Sequence, residues 1–190
     1  MSQMQTAQST SSKRSITLVL GGARSGKSRY AQQLGERAGR VAFIATAEAR
    51  QDTEMQRKIE RHQSDRPSTW TTIEETIKLG QAIHSAASTA DLILIDCLTL
   101  FASNLLERFG EETAVSHHEV DALCAALTSA PCSIVLVSNE VGHGVVPAFA
   151  LGRRFRNLNG AINQRIAAQA DNVFFVIAGL PLVLKGERVL

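Results

Sequence analysis

The sequence predicts an α/β fold, a mainly parallel sheet with helices on both faces. Three observations predict it. Short aliphatic runs alternate along the chain with segments of helical spacing, the pattern of parallel strands joined by crossover helices. Two of those runs, Asp91 to Asp96 (DLILID) and Ser133 to Ser138 (SIVLVS), are continuously apolar at their centres, as strands covered on both faces are. The first run, Ile16 to Leu20, opens into an amphipathic segment through Gly21-Gly22-Ala23-Arg24-Ser25-Gly26-Lys27-Ser28, which fits G-x-x-x-x-G-K-[ST]. That motif narrows the class to P-loop NTPase-like, RecA-like α/β.

The elements follow in order. After the strand Ile16–Leu20, Ser25 to Ala38 reads as a helix with Tyr30, Ala31, Leu34 and Ala38 on one side, stopped by Gly39. Val41 to Ala45 is a second buried strand. Asp52 to Ser64 is charged and helical in pattern, and it ends before Arg66-Pro67. Trp70 to Glu75 reads as a short strand and Ile77 to Ala87 as a helix. Leu98 to Phe109 places Leu98, Phe101, Ala102, Leu105 and Phe109 at helical spacing, with Gly110 as the break. Ser116 to Ser129 is a further helix, and a Gly-rich loop runs from Ser138 to Pro147. Ala148 to Ala170 keeps Leu151, Phe155, Leu158, Ile162 and Ile166 near a 3.6 period. Gly160 weakens that helix by about 1 kcal/mol relative to Ala. Val173 to Ala178 is the last internal strand, with Leu180 to Leu184 as an edge.

Composition bounds the function. The 190 residues, 44% hydrophobic and 20% charged, suit a polar tail over 1–14 and a single P-loop nucleotide-binding catalytic domain over 15–190. Twenty Lys and Arg against 18 Asp and Glu leave a net charge of +2. That balance argues against both a nucleic-acid binder and a disordered chain. The three cysteines, Cys97, Cys124 and Cys132, form no C-x-x-C pair and no zinc spacing, so the expectation is a reducing, cytoplasmic setting. The tail lacks the apolar stretch of a signal peptide, and no run of about 18 apolar residues occurs, so no membrane insertion is expected.

The phosphate loop carries the chemistry. Glycines let successive N–H groups converge on one anion, and the following helix adds the partial positive charge of its N-terminus. Lys27 then reaches the β- and γ-phosphates, and the Ser28 hydroxyl is placed to ligate Mg²⁺. Asp96, ending DLILID, is either the second metal-side acid or a cap for the helix that follows; P-loop chemistry favours the first. D-x-x-G and [NT]-K-x-D, the marks of a regulatory GTPase, are absent. A small kinase or nucleotidyltransferase remains.

At this point the residues resemble a known family. GGARSGKS, IATAE, ERHQSDRPSTWTTIEE, LIDCLTLFASNLL, LVSNEVGHGVVP, RRFRNLNGAINQRIAAQAD and VIAGLPL occur in that order. Together, over Thr17 to Leu184, they resemble the bifunctional adenosylcobinamide kinase / adenosylcobinamide-phosphate guanylyltransferases of cobalamin biosynthesis. R-H-x-x-x-R-P-x-x-W and S-N-E-V-G-x-G-x-V-P are the specific parts. The resemblance implies two reactions. ATP or GTP phosphorylates the hydroxyl of adenosylcobinamide's aminopropanol arm. A histidine then attacks the α-phosphate of GTP, releases pyrophosphate, and passes GMP to adenosylcobinamide phosphate. It maps the histidine to His62, and nucleotide contacts to Gly21 through Ser28, to Thr46, Ala47 and Glu48, to Gln63, Ser64, Asp65 and Arg66, and to Glu74 and Asp96. It also implies a homotrimer.

The residues themselves leave more open. An imidazole of unperturbed pKa about 6.5 is a workable nucleophile at neutral pH, and Arg61 and Arg66 flank His62 as phosphate partners. Spacing alone does not select His62 among five histidines, and Met55, Ile59 and His62 also share a helical face. Trp70 reads as core rather than as a stacking platform. Arg153, Arg154 and Arg156 read as a solvated helix face, and His117 and His118 as exposed. Asn139 to Gly142 is either a ligand loop at a strand's carboxyl end or a plain turn. His143 and Phe101 stand where the family has Met and Trp. Two rivals remain: another small-molecule P-loop kinase without a covalent intermediate, and a non-catalytic nucleotide-sensing module.

Overall fold

The computed structural model describes residues 14–47, 67–110 and 117–187. Its strands are β1 (Ile16–Gly21), β2 (Val41–Ala45), β3 (Thr71–Glu74), β4 (Leu92–Asp96), β5 (Ser133–Asn139), β6 (Asn172–Ile177) and β7 (Leu180–Lys185). They form a seven-stranded sheet of order β3-β2-β4-β5-β1-β6-β7. Every pairing is parallel except β6 with β7, a hairpin turned by Ala178 and Gly179, both at positive φ. The helices are α1 (Lys27–Gly35), α2 (Leu79–Ala86), α3 (Leu98–Phe109), α4 (His118–Ser129) and α5 (Ala150–Gln169). The expected Asp52–Ser64 helix lies outside the described residues.

Side chains of successive strand residues point to opposite faces, so a strand covered on both needs apolar residues throughout. In β1, Leu18 and Leu20 join one core with Ile93 and Ile95 of β4 and Ile134 and Leu136 of β5. Leu79 and Ile83 of α2, Phe101 and Leu105 of α3, Leu123 of α4 and Ile162 and Ile166 of α5 cover that face. Val19, Leu94, Val135 and Val137 face the other way, onto Tyr30, Ala31 and Leu34 of α1. Phe101 is fully buried, so it fills the core position where the resembling family carries Trp. Trp70 packs into the α1 layer, stacked on Phe43 at 6.5 Å between ring centroids, which bears out its reading as core.

The helices read as Ile77–Ala87 and Ala148–Ala170 are Leu79–Ala86 and Ala150–Gln169, and three further boundaries differ from the sequence reading. The helix read as Ser25–Ala38 is Lys27–Gly35, because the loop backbone stays non-helical through Gly26 at φ 96°. Its far end gives way to turns in which Glu36 N–H donates to the Gln32 carbonyl and Ala38 N–H to that of Gly35. Arg14, assigned to the tail, is anchored: its guanidinium donates to the Leu127 and Thr128 carbonyls, the last turn of α4, where unpaired carbonyls and the helix dipole favour a cation.

The third is the start of α4. Ser116 lies outside the described residues, and the helix runs from His118, with His117 as its N-cap. The His117 ring accepts from Glu119 N–H at 3.3 Å and packs on Phe109 at 4.5 Å. His118 is exposed as expected, whereas His117 is half-buried. Burial, and then the neighbouring His118 charge, lower the His117 pKa below 6.5. A base with a lowered folded-state pKa stabilises the fold in full above its unfolded value and loses that contribution as the pH falls below it. Acidification below pH 6.5 is therefore expected to loosen the first turn of α4. Thermal melts across pH 5 to 8 check this: His117→Asn, a cap with no charge to gain, should show a shallower acid-side decline than the parent chain.

Candidate active site

The sheet register gathers the site at one edge. Ala45 of β2 lies level with Glu74 of β3 and Asp96 of β4, and Gly21 of β1 lies level with Asn139 of β5. The phosphate loop, Thr46 and Ala47, Glu74, Asp96 and the loop after Asn139 therefore all leave the carboxyl ends of parallel strands, where open α/β sheets bind ligands. Of the residues expected at the site, those are the ones the structure places together. Glu48, His62, Gln63, Ser64, Asp65 and Arg66 lie outside the described residues.

The phosphate loop is shaped by close backbone approaches. A Cβ on Gly21 would meet the Ser25 hydroxyl and, at 2.7 Å, the Val176 carbonyl of β6. Gly26 sits at φ 96°, and a Cβ there would lie 3.1 Å from Gly179 Cα in the β6–β7 turn. That turn braces the loop from behind, because Gly179 N–H donates to the Ser25 carbonyl at 2.8 Å. Gly26→Ala must then hold a left-handed residue at a cost of about 1–2 kcal/mol. It should lower the melting temperature and weaken GTP binding together, as a thermal melt and a nucleotide titration would show.

Lys27 opens α1, and its ammonium folds back to the Gly22 carbonyl at 3.2 Å. Asp96 ends β4 at the same sheet edge. Both charges act on the buried Cys97 thiol, whose pKa is pushed up to about 11, first by burial and then by the Asp96 carboxylate, with Lys27 pulling the other way. Cys97 is accordingly an inert packing residue, as its sequence position implies. Asp96 is not the cap of α3; Cys97 is the N-cap residue, and no side chain caps that end. The second reading of Asp96, as a helix cap, is thereby removed.

Thr46 fixes the ends of β2 and β4 together. Its hydroxyl is fully buried, donates to the Cys97 carbonyl at 2.8 Å and accepts from Cys97 N–H at 2.7 Å. Asn104 of α3 donates to the carbonyls of Thr46 and Thr76, which ties the β2 and β3 exits to the same helix. Thr99 plays a matching part beside β5, accepting from Asn139 N–H at 2.7 Å. Asp96 is therefore presented by a backbone pinned on both sides.

The loop after β5 is bound to its surroundings at several points. Glu140 N–H donates to the Gly21 carbonyl at 3.0 Å, which joins this loop to the first residue of the phosphate loop. The Glu140 carboxylate turns back to accept from Gly142 N–H. Arg153 donates to the Pro147 and Ala148 carbonyls and Arg156 to that of Gly142. Arg153 is exposed, as a solvated helix face implies, whereas Arg156 is half-buried; both clamp the loop. Asn159 and Asn163 both donate to the Asn139 carbonyl, at 2.8 and 3.1 Å. The signal for them was present in the sequence. They are polar residues four apart, beside Leu158, Ile162 and Ile166 on the buried side of a helix. His143 is exposed on the loop, 6.1 Å from Phe175 between ring centroids.

The donor set suits a hard cation bound together with phosphate oxygens. It offers a hydroxyl at Ser28 in the first turn of α1 and a carboxylate at Asp96 free of any capping role. Among the described residues no three His, Cys, Asp or Glu side chains form a metal-binding group by themselves. Among the same residues no helix is long and apolar enough to cross a membrane.

Comparison with known proteins agrees with this geometry. The solved structure of the RadB recombinase matches with a TM-score of 0.50 over 85% of this chain and 73% of its own, at 13% identity, which shows a shared RecA-like fold and nothing more. The bifunctional adenosylcobalamin biosynthesis protein CobP of Pseudomonas aeruginosa is 45% identical, over 90% of this chain and 97% of its own length. The corresponding CobU proteins of Escherichia coli and Salmonella typhimurium are 38% and 40% identical, over 90% of this chain and 99% of theirs. The sequence model of the cobinamide kinase / cobinamide phosphate guanyltransferase family matches residues 17–184. With a phosphate loop and a strand-end carboxylate at one sheet edge, and alike to these proteins over nearly its whole length, this chain belongs to the cobinamide kinase / cobinamide phosphate guanyltransferase family.

Proposed function

We propose that this chain carries out both family reactions around one phosphate loop, the second of them through a GMP–His62 intermediate. The supporting observation is that the phosphate loop and the Asp96 carboxylate leave the same carboxyl edge of the sheet, the loop's backbone fixed by Gly26 and Gly179. In the first reaction the hydroxyl oxygen of cobinamide's aminopropanol arm bonds to the γ-phosphorus of ATP or GTP, the bond to the bridging oxygen breaks, and the hydroxyl proton is lost. Little covalent work falls to the protein. Loop N–H groups and Lys27 hold the phosphates in line and balance the charge that builds on their oxygens. Ser28 and Asp96 would hold Mg²⁺, which supplies further charge neutralisation when bound.

In the second reaction an imidazole nitrogen of His62 bonds to the α-phosphorus of GTP and pyrophosphate leaves. The phosphate oxygen of cobinamide phosphate then attacks the same phosphorus and releases the imidazole. Splitting the transfer gives each step a good leaving group. Glu48, Gln63, Ser64, Asp65, Arg66 and Glu74 serve as nucleotide contacts in this reading. The setting is cytoplasmic and the assembly a homotrimer. Exposed apolar residues on β7, Leu180, Leu182 and Leu184, support assembly, because a hydrophobic edge strand left open is an aggregation hazard.

The test uses the full chain, Mg²⁺ and GTP labelled at either the α- or the γ-phosphate. Protein-bound label is expected from the α-position alone, labile in acid and stable in base. Absence of α-label on fresh protein would overturn the covalent step. Cobinamide-dependent loss of γ-phosphate without any α-label would leave a plain kinase, and nucleotide binding without either transfer would leave a sensor.

A further inference from the structure

Strand β5 outruns its neighbour β4. The last β4–β5 pair is Asp96 with Val137, so Asn139 lies two residues beyond the end of β4. There its backbone groups bond to side chains instead of a strand. Asn139 N–H donates to Thr99 Oγ1 of α3 at 2.7 Å. The Asn139 carbonyl accepts from Asn159 Nδ2 at 2.8 Å and from Asn163 Nδ2 at 3.1 Å, both on α5. The next residue turns to the phosphate loop, Glu140 N–H donating to the Gly21 carbonyl at 3.0 Å.

The Asn139 carbonyl and the Glu140 N–H belong to one peptide unit. That unit is planar and trans, so its two groups point opposite ways. Whatever sets the direction of the carbonyl therefore sets the direction of the N–H that fastens Gly21, the loop's first residue. Two donors on that carbonyl exceed what burial asks for, since one hydrogen bond satisfies a buried carbonyl. Asn159 and Asn163 are only 1% and 5% exposed, one turn apart on the side of α5 that otherwise buries Leu158, Ile162 and Ile166. Asparagine is a poor helix former, and a buried amide is costly unless paired. Of the side chains near its size, leucine has no donor and an ionised aspartate only accepts. The second amide adds direction. Bonds from two points one helical turn apart fix the carbonyl, where a single bond would let it swing.

We propose that Asn159 and Asn163 are positioning residues for both transfers. They act through the 139–140 peptide, which fastens the Gly21 carbonyl and so sets where the phosphate loop sits relative to Asp96. The proposal rests on the kinase and guanylyltransferase reading above. It makes the segment from Asn139 a fastening for the loop. The loop's grip on a triphosphate comes from its own N–H groups and Lys27, and the Gly179 brace on Ser25 is separate from this fastening. Losing the fastening leaves the grip and shifts the bound nucleotide against Asp96 and the acceptor. A displacement of about 1 Å can cost about 10²-fold in rate.

Asn163→Leu tests this with the fold kept, because leucine suits the helix and its apolar neighbours while Asn159 still satisfies the carbonyl. The melting temperature should hold, and GTP affinity should stay within about twofold. At saturating substrates the rates of cobinamide phosphorylation and of α-label incorporation should both fall by about tenfold. Hydrogen exchange at the Glu140 amide should quicken. Unchanged rates overturn the proposal. So do slower rates with Glu140 exchange unchanged, since the effect then arrives by another route, and so does GTP affinity lost in step with the rates. If Asn163→Leu melts early, Asn159→Leu decides. Slow transfer with GTP affinity retained supports the pair, unchanged transfer overturns it, and a second early melt assigns the pair to the fold alone and overturns it too. A parent chain that neither phosphorylates cobinamide nor takes up α-label overturns the reading of function instead, and Glu140 exchange in the variant then still tests the fastening.

Discussion

Lys27→Ala is expected to slow both transfers by about 10²–10³-fold, the usual cost of removing one preorganised donor from a developing oxyanion. In the proposed reading both reactions build charge on the oxygens of a triphosphate held at this loop, so one ammonium serves both. The structure places that ammonium over the loop, 3.2 Å from the Gly22 carbonyl. Alanine is the best helix former, and Lys27 is the first residue of α1 rather than part of the core. The melting temperature should hardly move. Initial rates of cobinamide phosphorylation and of α-label incorporation, measured at saturating GTP, check the expectation. Loss of one reaction with the other intact would mean that the two do not share the loop.

His62→Ala is expected to divide the activities in the opposite way. Protein-bound α-label and GMP transfer should vanish, while phosphorylation of cobinamide stays within about twofold of the parent rate, since a covalent nucleophile contributes only to the reaction that passes through it. Label retained in this variant would move the nucleophile elsewhere, and His143, exposed on the loop after β5, is the next residue to replace. Phosphorylation lost along with the label would assign His62 to holding the triphosphate instead of carrying GMP.

The first of these expectations was legible in the sequence and the second only through resemblance. A phosphate loop is local. Its glycines, lysine and serine do their work within eight consecutive residues between a strand and a helix, so the string GGARSGKS carries the chemistry by itself. A nucleophilic histidine has no such local mark. Five histidines compete, and which of them meets the α-phosphate depends on chain placement that spacing does not encode.

Strand and helix positions were legible for the same local reason. Continuous apolar runs reported strands buried on both faces, and a period near 3.6 reported helices with one buried face. The boundaries that moved did so because of contacts made at a distance. Gly26 holds α1 back by two residues, since the loop packs on a turn more than 150 residues away, whose Gly179 N–H donates to the Ser25 carbonyl. Arg14 is ordered by carbonyls at the end of α4 and not by its neighbours in sequence.

The sequence by itself determined the fold class, the phosphate loop and the strand-end acid, because periodicity and loop chemistry are properties of contiguous residues. Only the tertiary structure decided that Asp96 is free of helix capping, that Arg153 and Arg156 clamp a loop, and that Asn159 and Asn163 hold the Asn139 carbonyl. Each of those depends on which carbonyl or N–H lies opposite a side chain. That is set by parallel strands drawing distant segments to a shared edge, which no stretch of sequence records.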